Sequence, residues 1–148
     1  MLNKMLPVVL SFFVIAVIAQ ELPCFDDYPV DVYTGSVATL QVKTEDEKYR
    51  EVLQNAINQK INFAGQYVVF HYSCGGGCIT GGILDVASGK VVTDFPDNYV
   101  AGDSPETFKS NYRKDSRLII FEGMSAHDNS FRKEYYHLLD GKLELIGH

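Results

Sequence analysis

The sequence has no tryptophan, only three cysteines and five prolines among its 148 residues, and no cluster of basic side chains. No basic run is longer than Arg132-Lys133, and its formal net charge is −6. Nucleic acids and anionic membrane surfaces bind proteins through clustered lysine and arginine side chains. The composition therefore argues against nucleic acid and anionic membranes as partners of this chain.

Motifs that mark several enzyme classes are also missing. The chain contains no Gly-x-Ser-x-Gly nucleophile elbow, no His-Glu-x-x-His metal pair and no glycine-rich phosphate loop. Hydrolysis and phosphoryl transfer need side chains in such fixed arrangements. We predict that the protein is a binding protein rather than an enzyme, and only the thiol chemistry considered below keeps an enzymatic function open.

Long apolar runs are absent except at the N-terminus. Lys4 precedes an apolar stretch over residues 5–19 that is short for a transmembrane helix and ends in small residues. We predict that residues 1–19 are a secretory signal peptide, and that residues 20–148 form a single periplasmic or secreted domain. A retained N-terminal anchor helix is the alternative, and after cleavage we expect no stable membrane insertion.

The most unusual stretch is a turn of three glycines, Gly75, Gly76 and Gly77, between Cys74 and Cys78. Export places cysteines in an oxidising compartment, and a glycine turn brings two side chains together with little strain. We therefore predict a Cys74–Cys78 disulfide that fixes a local shape.

Cys24 is left over by this pairing. It is a free thiol, an intermolecular link or the true partner of one of the other two cysteines, and the sequence leaves these three possibilities open.

The residue patterns predict an α+β fold, in which one amphipathic helix packs on one face of an antiparallel sheet of about five to seven strands. Apolar residues recur at three- and four-residue spacing from Glu45 to Ile61, which indicates a helix. Thr44 and Glu47 have the spacing of a capping box at its start.

Alternating or continuous apolar and β-branched segments predict the strands, and Ser88-Gly89 and Asp140-Gly141 predict two hairpin turns. The polar stretch from Pro96 to Tyr112 is predicted to be a loop suited to binding. The predicted strand segments are residues 25–42 as two short strands or one irregular edge strand, 66–73, 82–86, 91–95, 117–122, 131–139 and 142–146.

The chain resembles a group of small uncharacterised secreted or periplasmic bacterial proteins with three ordered motifs. They are Phe-Ala-Gly-x-Tyr, then Cys-Gly-x-Gly-Cys, then Asp-x-x-x-Gly-Lys-Val. The resemblance implies export and a single mixed domain, but it carries no established activity. In that group a histidine often follows Phe-Ala-Gly, whereas this chain has Gln66 there. The matching residues are Phe63, Ala64, Gly65, Tyr67, Cys74, Gly75, Gly77, Cys78, Asp85, Gly89, Lys90 and Val91.

Two functional hypotheses follow. The first is an exported binding protein with no cofactor, whose partner is an unknown protein or envelope component. Its contact surface is the glycine turn together with the predicted Pro96–Tyr112 loop, because turn amides can bind an anion and tyrosines supply amphipathic contacts. The candidate binding residues are Gly75, Gly76, Gly77, Tyr72 and Tyr99.

The second hypothesis is a thiol-based copper-binding or redox protein. Cys74, Cys78 and the nearby His71 would offer two thiolates and an imidazole, and soft thiolates suit Cu(I). Side chains on a strand alternate between its faces, which leaves the direction of His71 open. The two hypotheses differ in one respect, because only the second requires reduced thiols.

Overall fold

The computed structural model describes residues 21–102 and 107–148. The predicted signal peptide, residues 1–19, lies outside the described residues. Within them the chain forms a short 3-10 helix, one α-helix and eight strands. The bounds are Phe25–Asp27 for the 3-10 helix, Glu47–Ile57 (α1), Tyr67–Gly75 (β1), Cys78–Asp85 (β2), Lys90–Asp94 (β3), Tyr99–Val100 (β4), Lys109–Tyr112 (β5), Leu118–Met124 (β6), Phe131–Leu139 (β7) and Lys142–Gly147 (β8).

The strands form two antiparallel sheets. The first sheet has the order β1-β2-β3, with β4 also pairing with β2, and the second has the order β5-β6-β7-β8. The α+β class is thus confirmed, but the expected single sheet of five to seven strands is wrong. The second sheet covers the face of the first sheet that α1 leaves open, which explains why the start of β1 is apolar on both faces.

Two hydrophobic clusters hold these layers together. One lies between the two sheets and includes Phe63, Val69 and Phe121. The other lies between α1 and the first sheet and includes Leu53, Val68 and Phe70. Because neighbouring side chains of β1 enter different clusters, this strand connects the two parts of the core.

Helix α1 begins later and ends earlier than its sequence pattern predicts. The Asp46 carboxylate accepts hydrogen bonds from the amides of Lys48 and Tyr49, so Asp46 is the N-cap. The capping box predicted at Thr44 is wrong, since the Thr44 hydroxyl accepts from the Asp46 amide instead. Ile61 still packs on the core, but in an extended segment rather than in the helix.

The strands predicted for residues 25–42 are not formed. The segment begins with the short 3-10 helix, and the residues after it make separate backbone hydrogen bonds, among them Tyr33 to Gly65 and Gln41 to Gly89. A β-carbon at Gly65 would lie 2.3 Å from the Asp31 carbonyl oxygen. The close approach of this segment depends on glycine, and isolated contacts of this kind do not build a strand ladder.

The predicted hairpins are confirmed. The Asp85 carboxylate accepts from the Ala87 amide and the Ser88 hydroxyl, and Gly89 has a φ of 71°. Asp140 and Gly141 have φ values of 49° and 74°. Both φ values are positive, as a two-residue turn of type I′ requires.

The loop predicted from Pro96 to Tyr112 is more ordered than expected, because β4 and β5 lie within it. Val100 pairs with Cys78, and Lys109 pairs with Glu122. The middle of this stretch, residues 103–106, lies outside the described part of the chain. Its described ends are sheet strands, so the prediction of a continuous loop is wrong.

Candidate functional site

The glycine turn closes the hairpin between β1 and β2. Gly75 pairs with Cys78, which leaves Gly76 and Gly77 as the two turn residues. Their φ values are 60° and 80°, and Gly75 has a φ of 90°. Residues with a β-carbon rarely adopt such angles, so the turn requires glycine or, at a cost, asparagine or aspartate.

Residues 73–78, which we call the hairpin tip, extend beyond the hydrophobic core. Ser73, Cys74 and the three glycines are exposed. A β-carbon added at any of the three glycines would meet no atom within 4 Å. The glycines are therefore needed for the backbone conformation of the turn and not for packing against the rest of the domain.

The two cysteines of the hairpin tip lie side by side. Their sulfur atoms are at disulfide-bonding distance, and their Cα atoms are 5.2 Å apart, within the usual range for a disulfide. Cys74 lies where the pairing of β1 with β2 shifts register between Ser73 and Gly75. The predicted proximity of Cys74 and Cys78 is confirmed.

Cys24 lies apart from this pair and is exposed. A hydrogen bond with the Asp27 carboxylate raises the pKa of the Cys24 thiol above its ordinary value. Less thiolate is therefore present at neutral pH, which lowers the reactivity of this cysteine.

Strand β4 supports the hairpin tip on the β2 side. Beyond its pairing with Cys78, it brings the Ala101 amide within 2.7 Å of the Gly77 carbonyl oxygen.

One of the three turn amides already has a hydrogen-bond partner. The Gly75 amide donates to the Ser73 hydroxyl oxygen at 3.3 Å. The anion nest of three amides expected from the sequence is thus reduced to two amides at most, those of Gly76 and Gly77.

Tyr72 lies at the base of the hairpin tip and is half-buried. Its ring centroid is 5.3 Å from that of Tyr49 on α1 and 6.5 Å from that of Phe70. Burial, and then the negative charge of Asp94, raises the pKa of the Tyr72 hydroxyl. Tyr72 supports the hairpin against the helix and presents only part of its surface to a partner.

Tyr99 is not a surface residue. Only 1% of its surface is exposed, and it packs in the core between the two sheets against Phe108 and Phe121. Burial raises the pKa of its hydroxyl far above the ordinary value. The prediction that Tyr99 is a contact residue is therefore wrong for the unliganded protein, because β4 turns its aromatic side chain into the core.

The predicted copper ligands do not converge. His71 is exposed and lies three positions before Cys74 on β1. Across residues 21–102 and 107–148, no group of three or more His, Cys, Asp or Glu side chains is placed to hold a metal ion.

Sequence reasoning missed one element of this region, the outer edge of β1. The Asn62 side chain hydrogen-bonds the backbone of Val69, and beyond Val69 a cleft of about 300 Å³ follows the strand. No pattern in the sequence marks Asn62, because the contact depends on how the chain turns back after α1. The cleft is lined by Val52, Asn55, Gln59, Val69, Phe70, His71 and Tyr112.

Comparisons with known proteins add no relative to this description. No protein-family model matches the chain, and neither a curated protein nor a solved structure matches it. In the described part of the chain, the helices are too short or too polar to span a membrane. The resemblance to small exported bacterial proteins stays a prediction, and we therefore infer the function from the geometry of the hairpin tip.

Proposed function

We propose that this chain is a small exported binding protein that contacts its partner through the hairpin tip. The observation that carries the proposal is an exposed glycine turn on which an added β-carbon would meet no other part of the domain. Its two cysteines lie at disulfide-bonding distance, and β4 supports it from one side. A surface that is already ordered loses little conformational entropy on binding.

A disulfide between Cys74 and Cys78 fits this function better than a role in holding the whole domain together. The loop it closes is only four residues in sequence separation, and so short a loop restricts the unfolded chain weakly. The bond would keep the hairpin tip in one shape. Disulfides persist in oxidising compartments, which agrees with export to the periplasm or the cell exterior.

We infer that the partner is a protein or another envelope component rather than nucleic acid. The formal net charge of −6 disfavours nucleic acid. The exposed glycines leave backbone N–H and C=O groups within reach of a partner, and backbone groups of this kind pair with polar groups of another chain. No cofactor is needed for such a contact.

The test adds a side chain to the turn without changing its backbone. Asparagine tolerates a positive φ and Asn-Gly favours this turn type, so Gly76→Asn should fold normally. The control is Asp140→Asn, which places asparagine at the corresponding position of the exposed β7–β8 turn. We would compare the envelope proteins that the purified wild type and each variant retain on a column.

The proposal predicts that proteins retained by the wild type and by Asp140→Asn are lost from Gly76→Asn. Retention of the same proteins by all three would contradict a contact through the hairpin tip. If the wild type retains nothing above a blank column, the binding function itself is wrong.

A thiol-based copper or redox function is the second candidate, and one observation favours it. Cys74 is exposed at the hairpin tip and Cys78 is half-buried, so neither cysteine is enclosed in the hydrophobic core. A count of free thiols on protein purified from the envelope distinguishes the two functions. One free thiol, at Cys24, supports the binding protein, whereas free or rapidly exchanging thiols at Cys74 and Cys78 support the thiol function.

A further inference from the structure

The backbone N–H and C=O groups of successive β1 residues point alternately towards β2 and away from it. In an antiparallel pair, every second residue bonds the neighbouring strand and the residues between them point away from it. The Val86 amide donates to the Gln66 carbonyl, which makes the next residue, Tyr67, one that points away from β2. By the same alternation the backbone N–H and C=O groups of Val69, His71 and Ser73 also point away from β2.

The first two of these positions are covered by the chain itself. The Tyr67 amide donates to the Phe63 carbonyl, and the Tyr67 carbonyl accepts from the amides of Asn62 and Phe63. At Val69 the hydrogen-bond partner is a side chain instead of a backbone group. The Val69 amide donates to Asn62 Oδ1 at 2.8 Å, and Asn62 Nδ2 donates to the Val69 carbonyl at 3.3 Å.

The Asn62 contact shows what this strand edge binds. A primary amide can present an N–H donor and its C=O acceptor on one side, as a single residue of an antiparallel strand presents its own N–H and C=O to its partner. Asn62 therefore takes the place that one residue of a neighbouring strand would occupy beside Val69. The edge of β1 thus already pairs with a strand-like donor and acceptor inside the molecule.

The next two positions are open. Within the described residues, the outward backbone groups of His71 and Ser73 have no hydrogen-bond partner, and both residues are exposed. The cleft reaches His71 and is also lined by Asn55 of α1, Gln59 just after the helix and Tyr112 of β5, and Ser73 lies two residues further along the same edge. An unpaired and exposed strand edge is a template for one more strand.

We propose that an extended peptide segment of a partner protein binds in this cleft and pairs as an added strand with His71 and Ser73. This inference rests on the proposed binding function and names its partner class. Main-chain hydrogen bonds would supply the affinity, as in other proteins that bind by strand addition. The bound segment would continue the edge from Asn62 towards the hairpin tip, so strand and tip form one contact surface.

The walls of the cleft indicate the side chains of the segment. They include Val52 and Asn55 of α1, Gln59 just after the helix, and the half-buried Tyr112 of β5. These walls are uncharged. Because successive side chains of a strand point to opposite faces, the segment should be neutral and should alternate its polar and apolar residues.

The test uses proline to block the edge. Proline lacks an N–H and is tolerated on an edge strand where the N–H points to solvent, so His71→Pro should keep the pairing of β1 with β2. His71→Ala is the matched control, because it removes the same side chain and keeps the backbone donor. The probe is a random peptide library displayed on phage and selected against the wild-type chain.

We expect selected peptides with alternating polar and apolar residues. Their affinity should fall at least about tenfold for His71→Pro and change little for His71→Ala, because the variant loses a backbone hydrogen bond and the proline ring blocks the edge. N-methylation of a selected peptide at the alternate residues whose N–H groups pair with β1 should abolish binding to the unchanged protein. N-methylation of the residues between them should be tolerated, because their N–H groups point away from β1. This second measurement does not depend on the folding of a variant.

Residue-resolved amide hydrogen exchange locates the contact. The amides of His71 and Ser73 should exchange rapidly in the free chain and become protected when the selected peptide binds. Failure to select any peptide, equal binding to wild type and His71→Pro, or unprotected amides at both positions would each overturn the inference. A dimer of this chain that protects the same amides without peptide would also overturn it, since the occupant would then be a second copy.

The outcomes distinguish failure of this inference from failure of the proposed function. If envelope proteins are retained through Gly76 but equally well by His71→Pro, the hairpin tip binds and the strand edge does not. If the wild type retains no envelope protein and selects no peptide, both proposals are wrong.

Discussion

At the scale of single residues, two tyrosines of the core differ in how their hydroxyl groups are satisfied. The Tyr136 hydroxyl donates to the Glu134 carboxylate at 2.9 Å. The Tyr99 hydroxyl is buried and has no hydrogen-bond partner among the described residues. A buried polar group without a partner costs free energy, whereas a hydrogen bond to a charged group stabilises.

The pair of substitutions Tyr99→Phe and Tyr136→Phe tests this difference. Tyr99→Phe should raise the free energy of unfolding by about 1 kcal/mol, because it removes an unsatisfied hydroxyl. Tyr136→Phe should lower it by about 1 kcal/mol, because it removes a hydrogen bond to a carboxylate. Urea denaturation measures both, and a loss of stability in Tyr99→Phe as large as that in Tyr136→Phe would show that the Tyr99 hydroxyl has a partner.

Asn62 is the second residue on which the account depends. Asn62→Ala leaves the N–H and C=O of Val69 without partners, and it should lower the free energy of unfolding by about 2 kcal/mol. Asn58→Ala is the control, because Asn58 is the exposed C-cap of α1. Equal stability of the two variants in urea denaturation would mean that Asn62 does not cover the edge of β1.

At the scale of the elements, a disulfide in the hairpin tip would close a loop with a sequence separation of only 4. If Cys74 and Cys78 form a disulfide, its loss should lower the free energy of unfolding by about 2 kcal/mol, the loop-entropy value for so short a loop. The double variant Cys74→Ala/Cys78→Ala should therefore fold and show this loss, and Cys24→Ala should not. A double variant that fails to fold would show that the pair holds the whole domain.

Local sequence signals predicted the elements that depend on neighbours in the chain. The hairpin turns at Gly89 and Gly141 follow from turn residues, and α1 follows from its spacing, although Asp46 rather than Thr44 caps it. The segment over residues 25–42 was predicted as strand because its composition is β-like. Its conformation depends on distant partners such as Gly65, which no local pattern reveals.

The candidate site shows the same division. The proximity of Cys74 and Cys78 could be predicted because a short glycine turn enforces it. The burial of Tyr99 could not, since it depends on the pairing of β4 with β2 and on packing against the second sheet. The division of the β1 edge into covered and open positions could not be predicted either, because Asn62 reaches Val69 only after the chain has folded.

At the scale of the whole molecule, the tyrosines should control stability at high pH. Burial raises the pKa of six hydroxyls above the ordinary value of 10.0, so the folded state favours their neutral form. Their contribution is fully present below pH 10.0 and is lost as the pH rises through the higher folded values. The tyrosines are Tyr49, Tyr67, Tyr72, Tyr99, Tyr112 and Tyr136.

The prediction is a fall in the urea midpoint that begins at about pH 10, where unfolded tyrosine ionises, and continues as the pH rises further. The tyrosinate absorbance of these six side chains should rise together with unfolding rather than before it. A constant midpoint over this range, or full ionisation of the tyrosines in the folded protein, would contradict the burial described here.

The central claim, contact through the hairpin tip and the adjoining edge of β1, is tested most directly by photocrosslinking in intact cells. A photoreactive amino acid would replace Ser73, and in a matched strain it would replace Lys142, which is equally exposed on the β7–β8 hairpin. The account predicts a discrete crosslinked product from position 73 and none from position 142. No product from position 73, or the same products from both positions, would contradict it.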